Sequence, residues 1–135
     1  MKKIYFRKGY KYQLSREYRQ YIDIRPDKEI ITEFIRLSVD GFISINRGYA
    51  WDGPSVAIDT RSFMRGSLVH DAIYQLIRMG LLPFRCWEQA DDELKKICLD
   101  DKMFKFRAWY VHKTLNIAGG EAAKPKNKKE EYVAP

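Results

Sequence analysis

The chain has 135 residues, with 25 Lys and Arg against 18 Asp and Glu for a net charge of +7, and 45% of its residues are hydrophobic. That length fits one domain around a single core. No apolar run approaches the roughly 18–20 residues of a membrane span. The basic start, Met1-Lys2-Lys3-Ile4-Tyr5-Phe6-Arg7-Lys8, lacks the apolar stretch of a secretory signal, so the expected location is a cytoplasm or a larger assembly. Two cysteines, Cys86 and Cys98, make no disulfide framework. On one helix they would lie about 18 Å apart, far beyond disulfide reach. The positive charge is uneven: +5 over residues 1–30, −2 over 31–60 and +4 over 61–135. Such a field favours anionic partners without defining a site.

The first half reads as strands. Tyr10, Tyr12 and Leu14 recur at period two, and Tyr18, Gln20 and Ile22 do so more weakly. Glu29 to Asn46 reads as two strands around Val39-Asp40-Gly41. A two-residue Asp-Gly turn would set Leu37 against Ser44. A three-residue loop with Gly41 left-handed sets Leu37 against Ile43 and Ile35 against Ile45, pairing apolar with apolar, and is the preferred register. Gly48 to Thr60 reads as a long, functionally suspect loop, with Asp59 or Thr60 as a helix cap.

The second half is helical. Across residues 63–79 the apolar face is Leu68, Val69, Ala72, Ile73, Leu76 and Ile77, and Gly80 is the stop. A second helix after Pro83 carries Trp87, Ala90, Leu94, Ile97 and Cys98 inward. A third carries Phe104, Ala108, Val111, Leu115 and Ala118 and should end at Gly119-Gly120. Residues 121–135 turn polar, and alone such a tail is expected to be disordered. The expectation is an α+β domain over residues 1–120: an N-terminal antiparallel sheet of about four or five strands, then three packed helices, then a charged tail.

One place gathers titratable groups. Val69-His70-Asp71-Ala72-Ile73-Tyr74 follows the polar loop Trp51-Asp52-Gly53-Pro54-Ser55. His70 and Tyr74 share a helix face, being four apart. Ser67, Asp71 and Arg78 fall in the same arc, beside the apolar stripe. His70 and Asp71, as neighbours, diverge by about 100°, so Asp71 is expected to turn away. Asp91 projects inward on the second helix and should approach His70 or Arg65, while Asp92 faces solvent. The sharper unit is therefore His70 with Asp52 and Asp91, and Asp71 and Tyr74 in support.

Three readings follow. In one, the cluster is a catalytic or metal site. A histidine with carboxylates suits a divalent metal such as Mg²⁺ or Mn²⁺, and His70 or a metal-bound water would serve a hydrolase. In another, the residues hold the loop to the helices and catalyse nothing. In the third, basic strands bearing Tyr5, Tyr10, Tyr12, Tyr18 and Tyr21, interleaved with Lys11, Arg16 and Arg19, contact nucleic acid by stacking or form a protein interface. His112 reads as a boundary histidine, and a catalytic cysteine has no base nearby in sequence.

The ordered series Asp52 and Ser55, then His70-Asp71-x-x-Tyr74, then Ala90-Asp91, then Arg107-Ala108 with Tyr110, then Gly119 resembles the phage- and prophage-encoded family catalogued as domain of unknown function 1353. The likeness covers roughly residues 30–120. The family often has proline two residues after the serine, where this chain has Ala57, with Pro54 before the serine instead. The resemblance implies a bacteriophage or prophage origin and no established activity. The expected function is an accessory or virion-associated protein acting through contacts with other phage proteins or copies of itself. A small metal-dependent hydrolase using Asp52, His70 and Asp91 is the alternative, and a basic nucleic-acid-binding module the third.

Overall fold

Buried and exposed side chains alternate through the strands of this chain, and that alternation decides which face of each sheet meets the helices. The computed structural model describes residues 3–7, 12–52, 61–122 and 124. The strands are β1 (Phe6–Arg7), β2 (Tyr12–Leu14), β3 (Tyr18–Tyr21), β4 (Ile30–Ile31), β5 (Ile35–Leu37), β6 (Phe42–Ile45) and β7 (Ala50–Trp51). The helices are α1 (Arg61–Arg78), α2 (Cys86–Asp100) and α3 (Lys105–Ala122). This is the expected α+β order, antiparallel strands and then three helices. Among the described residues the strands are short and fall into two sheets, β1-β2-β7 and β3-β6-β5-β4.

The β5–β6 hairpin takes the register that pairs apolar with apolar: Ile35 faces Ile45 and Leu37 faces Ile43, and all four are fully buried. Ser38 N donates to Phe42 O across a three-residue loop, and Gly41 N donates to Ser38 O. Gly41 has φ +89°, and a Cβ there would lie 2.5 Å from the Ile22 carbonyl oxygen, so both backbone and space demand glycine. The segment from Glu29 holds one strand more than expected. Thr32 breaks it, because its hydroxyl accepts from Ile35 N and donates to Ile35 O, and the chain reverses between β4 and β5. The connection after Gly48 is also shorter than expected, since Ala50–Trp51 pairs with β2 as β7. Residues 53–60, with Ser55 and the expected cap at Asp59 or Thr60, lie outside the described residues, as do Tyr10, Lys11 and nearly all of the polar tail.

Apolar side chains of both sheets, including Leu14, Ile35, Leu37, Ile43, Ile45 and Trp51, share one core with Leu68, Val69, Ala72, Ile73, Leu76 and Ile77 of α1. A second cluster, Phe63, Leu94, Cys98, Met103, Ala108 and Val111, joins the three helices. Helix α1 ends where expected: Gly80 (φ +76°) donates to Ile77 O, and Leu81 N donates to Leu76 O, closing the helix with a Schellman pair. Helix α2 ends the same way without glycine. Lys102 adopts φ +70°, with Lys102 N on Leu99 O and Met103 N on Cys98 O. Cys86 and Cys98 are free and buried on that one helix, and burial pushes the Cys98 thiol up to about 12. Two expectations for α3 change. Phe104 lies outside the helix and is exposed. The helix also runs on through Gly119-Gly120 to Ala122, since glycine lowers helix propensity without forcing a stop.

Candidate functional site

Helix α1 is enclosed between the strands and α2, so the polar arc beside its apolar stripe is covered as well as the stripe. Ser67, His70 and Tyr74 are all buried, further in than a place beside the apolar stripe requires. On the strand side, Trp51 Nε1 donates to Ser67 Oγ at 3.0 Å, and Ser67 Oγ donates to Met64 O, so β7 is pinned to α1. On the helix side, Gly66 lets α2 approach closely. A Cβ at Gly66 would lie 2.9 Å from Cys98 Sγ and 3.0 Å from Leu94 Cδ1.

That close approach brings Asp91 under α1. Asp91 is 0% exposed, and its Oδ1 receives two contacts, His70 Nε2 at 2.7 Å and the Tyr74 hydroxyl at 2.8 Å. The His70 and Tyr74 rings lie 4.1 Å apart between centroids. Asp71 departs from the expectation that it turns away. Its Oδ1 lies 3.5 Å from His70 Nδ1. The backbone directions diverge as a helix requires, but Nδ1 is the ring nitrogen nearer the backbone, and a short carboxylate side chain reaches it. With a carboxylate at each ring nitrogen, the doubly protonated imidazolium is the form that fits, since only it donates from both. Burial pulls the His70 pKa down, but Asp71 and Asp91 outweigh it and hold the value at about 8. For Tyr74, burial and then the Asp91 charge raise the hydroxyl pKa well above its usual value, so it stays a donor. Tyr49, buried beside the same helix, donates to Gln75 Oε1 at 3.2 Å. Its hydroxyl pKa is likewise raised, first by burial and then by the charge of Asp71.

Asp52 does not complete the expected trio. It is exposed at the end of β7, whereas Asp91 is sealed beneath α1. Among the described residues, no three His, Cys, Asp or Glu side chains are grouped to hold a metal ion. The Asp91 oxygen that faces His70 is already engaged by two protein groups. Asp91 Oδ2 is buried with no hydrogen-bond partner, but among the described residues no set of three ligands converges there, so these side chains do not assemble the divalent-metal site considered from the sequence.

A second polar unit escaped the sequence reading. Asp91 pairs with His70 and not with Arg65, because Arg65 is taken elsewhere. Its Nη2 lies 2.9 Å from Asp101 Oδ1 and 2.7 Å from Asp100 Oδ2, and its Nη1 donates to Tyr18 Oη at 2.8 Å and Gln20 Oε1 at 3.2 Å. The Tyr18 hydroxyl also donates to Gln20 Oε1. Burial works against the Arg65 charge, but Asp101 and Tyr18 overcome it and raise its pKa. A charge at Arg65, in the middle of the apolar stripe of α1, was the available signal: an arginine there must be paired to be buried.

The described N-terminal tyrosines do not form one surface. Tyr18 is buried, and Tyr12 is half-buried with its ring 5.6 Å from that of Trp51. Tyr21 is exposed against Phe42, and Tyr5 carries Arg16 over its ring at 4.1 Å. His112 is the boundary residue expected, half-buried with Nε2 at 2.7 Å from exposed Asp92. No helix among the described residues is long and apolar enough to cross a membrane. In comparison with known proteins, no family model, no curated sequence and no solved structure matches this chain.

Proposed function

We propose that this chain is a phage-encoded accessory or virion-associated protein that works by contact with other phage proteins or with copies of itself. The His70–Asp91–Tyr74 cluster is then a packing device that fixes α2 against α1. The observation that supports a non-catalytic cluster is the complete burial of Asp91, whose Oδ1 is engaged by both His70 and Tyr74. A general acid or base must reach a substrate atom within hydrogen-bond distance, and a sealed carboxylate serves the fold instead. The phage origin rests on the ordered Asp52, His70-Asp71-x-x-Tyr74 and Asp91 series.

Two measurements test the reading. The His70→Ala variant should unfold at a clearly lower temperature, since losing a satisfied buried polar partner costs about 1–3 kcal/mol. A metal-dependent hydrolase makes the opposite prediction: an activity abolished by His70→Ala with little change in melting temperature. Association is tested by light scattering on the purified chain and by its co-purification with phage particles. Free monomer in the first and absence from the second would end the proposal.

A further inference from the structure

Helix α3 turns aromatic side chains toward solvent. Phe106, Trp109 and Tyr110 are 76%, 47% and 56% exposed, and Phe104, just before the helix, is 85% exposed. On a helical projection, Phe106, Trp109, Tyr110 and Lys113 fall within about 100° of arc, opposite buried Ala108 and Val111. Two of the rings and a cation are adjacent: Phe106 and Trp109 lie 6.2 Å apart between centroids, and Lys113 Nζ sits 4.9 Å over the Trp109 ring. At about 200 Å² per aromatic side chain, the exposures of Phe106, Trp109 and Tyr110 leave about 360 Å² of aromatic surface in water on this face. A patch of that size on a monomer is often functional.

The charge around the strip selects its partner. From Lys102 to Gly120 the chain has Lys102, Lys105, Arg107 and Lys113 and no acidic residue. Lys105 and Arg107 project about 90–110° to either side of the aromatic line, so a row of rings is flanked on both sides by cations. A helix lying in the plane of a bilayer has this arrangement: rings enter the boundary between headgroups and acyl chains, and basic groups meet the phosphates. A second copy of the chain is a poor fit, because a twofold contact on this strip would bring Lys105 and Lys113 of both molecules together. A nucleic-acid strand requires a basic groove that tracks its backbone, and this strip is the convex outer face of a helix.

We infer that the outer face of α3 is a membrane-surface site, in which Phe106, Trp109 and Tyr110 insert at the interface of an anionic bilayer and Lys105 and Lys113 pair with lipid phosphates. This activity goes beyond the proposed function and is independent of the His70 cluster.

Co-sedimentation of the full chain with vesicles tests it. The protein should sediment with phosphatidylglycerol vesicles and not with phosphatidylcholine vesicles, and binding should weaken as salt rises from about 50 to about 500 mM. The double variant Phe106→Ser/Trp109→Ser should bind about tenfold more weakly with an unchanged melting temperature. Should that variant misfold, Lys105→Glu/Lys113→Glu, which keeps the rings, should lose binding equally. The inference is overturned by no sedimentation with phosphatidylglycerol at low salt, or by binding that the variants leave intact. It is equally overturned if those variants abolish self-association or oligonucleotide binding while vesicles are ignored.

Discussion

Arg65 of α1 and Asp101 at the end of α2 grip each other in a two-pronged ion pair, with Nη2 2.9 Å from Oδ1 and Nε 3.0 Å from Oδ2. Both side chains are almost fully buried, at 4% and 6% exposure. Removing one partner strands the other charge in the interior, at a cost of about 3–5 kcal/mol. Arg65→Met should therefore lower the unfolding free energy by about that much in urea titrations. Arg65→Lys should rescue little, since one ammonium cannot hold Asp101, Asp100, Tyr18 and Gln20 together. A loss under about 1 kcal/mol would mean that the pair behaves as a surface contact.

The His70 pair makes stability depend on pH. Its pKa is about 8 in the folded chain against about 6.5 when unfolded. A raised value means the contribution is fully present below about pH 6.5 and is lost as pH rises through about 8. The difference corresponds to about 2 kcal/mol. Unfolding free energy measured across that window should fall for the wild type, and the fall should shrink sharply in His70→Gln. Equal slopes in the two proteins would count against a charged His70.

Gly66 sets the spacing of α1 and α2. Alanine improves helix propensity by about 1 kcal/mol, but here its Cβ meets Cys98 Sγ at 2.9 Å and the Leu94 carbonyl at 3.3 Å. Overpacking costs about 1–3 kcal/mol, so Gly66→Ala should lower the melting temperature despite the better propensity. Adding Cys98→Ala, which clears the nearest atom, should recover part of the loss. A stabilised single variant would show that the helices can separate without penalty.

Lys102 holds the left-handed position at the end of α2, φ +70°. A non-glycine residue there costs about 1–2 kcal/mol, partly offset by the greater freedom that glycine would have when unfolded. Lys102→Gly should therefore stabilise the chain by about 0.5–1 kcal/mol, seen as a higher urea midpoint with an unchanged slope. A lower midpoint would show that the lysine side chain compensates for its backbone.

Legibility in the sequence follows the range of the signal. The β5–β6 register was readable because one parity puts Ile35, Leu37, Ile43 and Ile45 on a single face and the other buries serine. The inward turn of Asp91 was readable from its place beside Leu94 and Cys98, and the end of α1 from Gly80. The Arg65 network was not, because Tyr18, Arg65 and Asp101 come from three separate elements and no local period links them. The contact of Asp71 with His70 was not legible, because backbone direction alone leaves out the reach of the side chain. Nothing local in the sequence fixes where Asp52 lies relative to His70, and at the end of β7 it is exposed. The aromatic face of α3 was hidden because Phe104 reads equally well as core or surface at helical spacing.

The pairing of β2 with β7 has a consequence for the order in which the chain assembles. Tyr12 and Trp51 are opposite one another, yet the whole four-stranded sheet lies between them in sequence. Joining β2 to β7 directly would close a loop of about 35 residues against 3 for the β5–β6 hairpin, an extra entropic cost of about 2 kcal/mol. Once β3 has zipped onto β6, Tyr18 stands opposite Ile45, and most of that cost has already been met. The larger sheet therefore acts as the clasp that draws the chain's early and middle segments together. Trp51 and Ser67 are only 16 positions apart, so the docking of α1 on β7 closes a shorter loop and does not depend on the clasp.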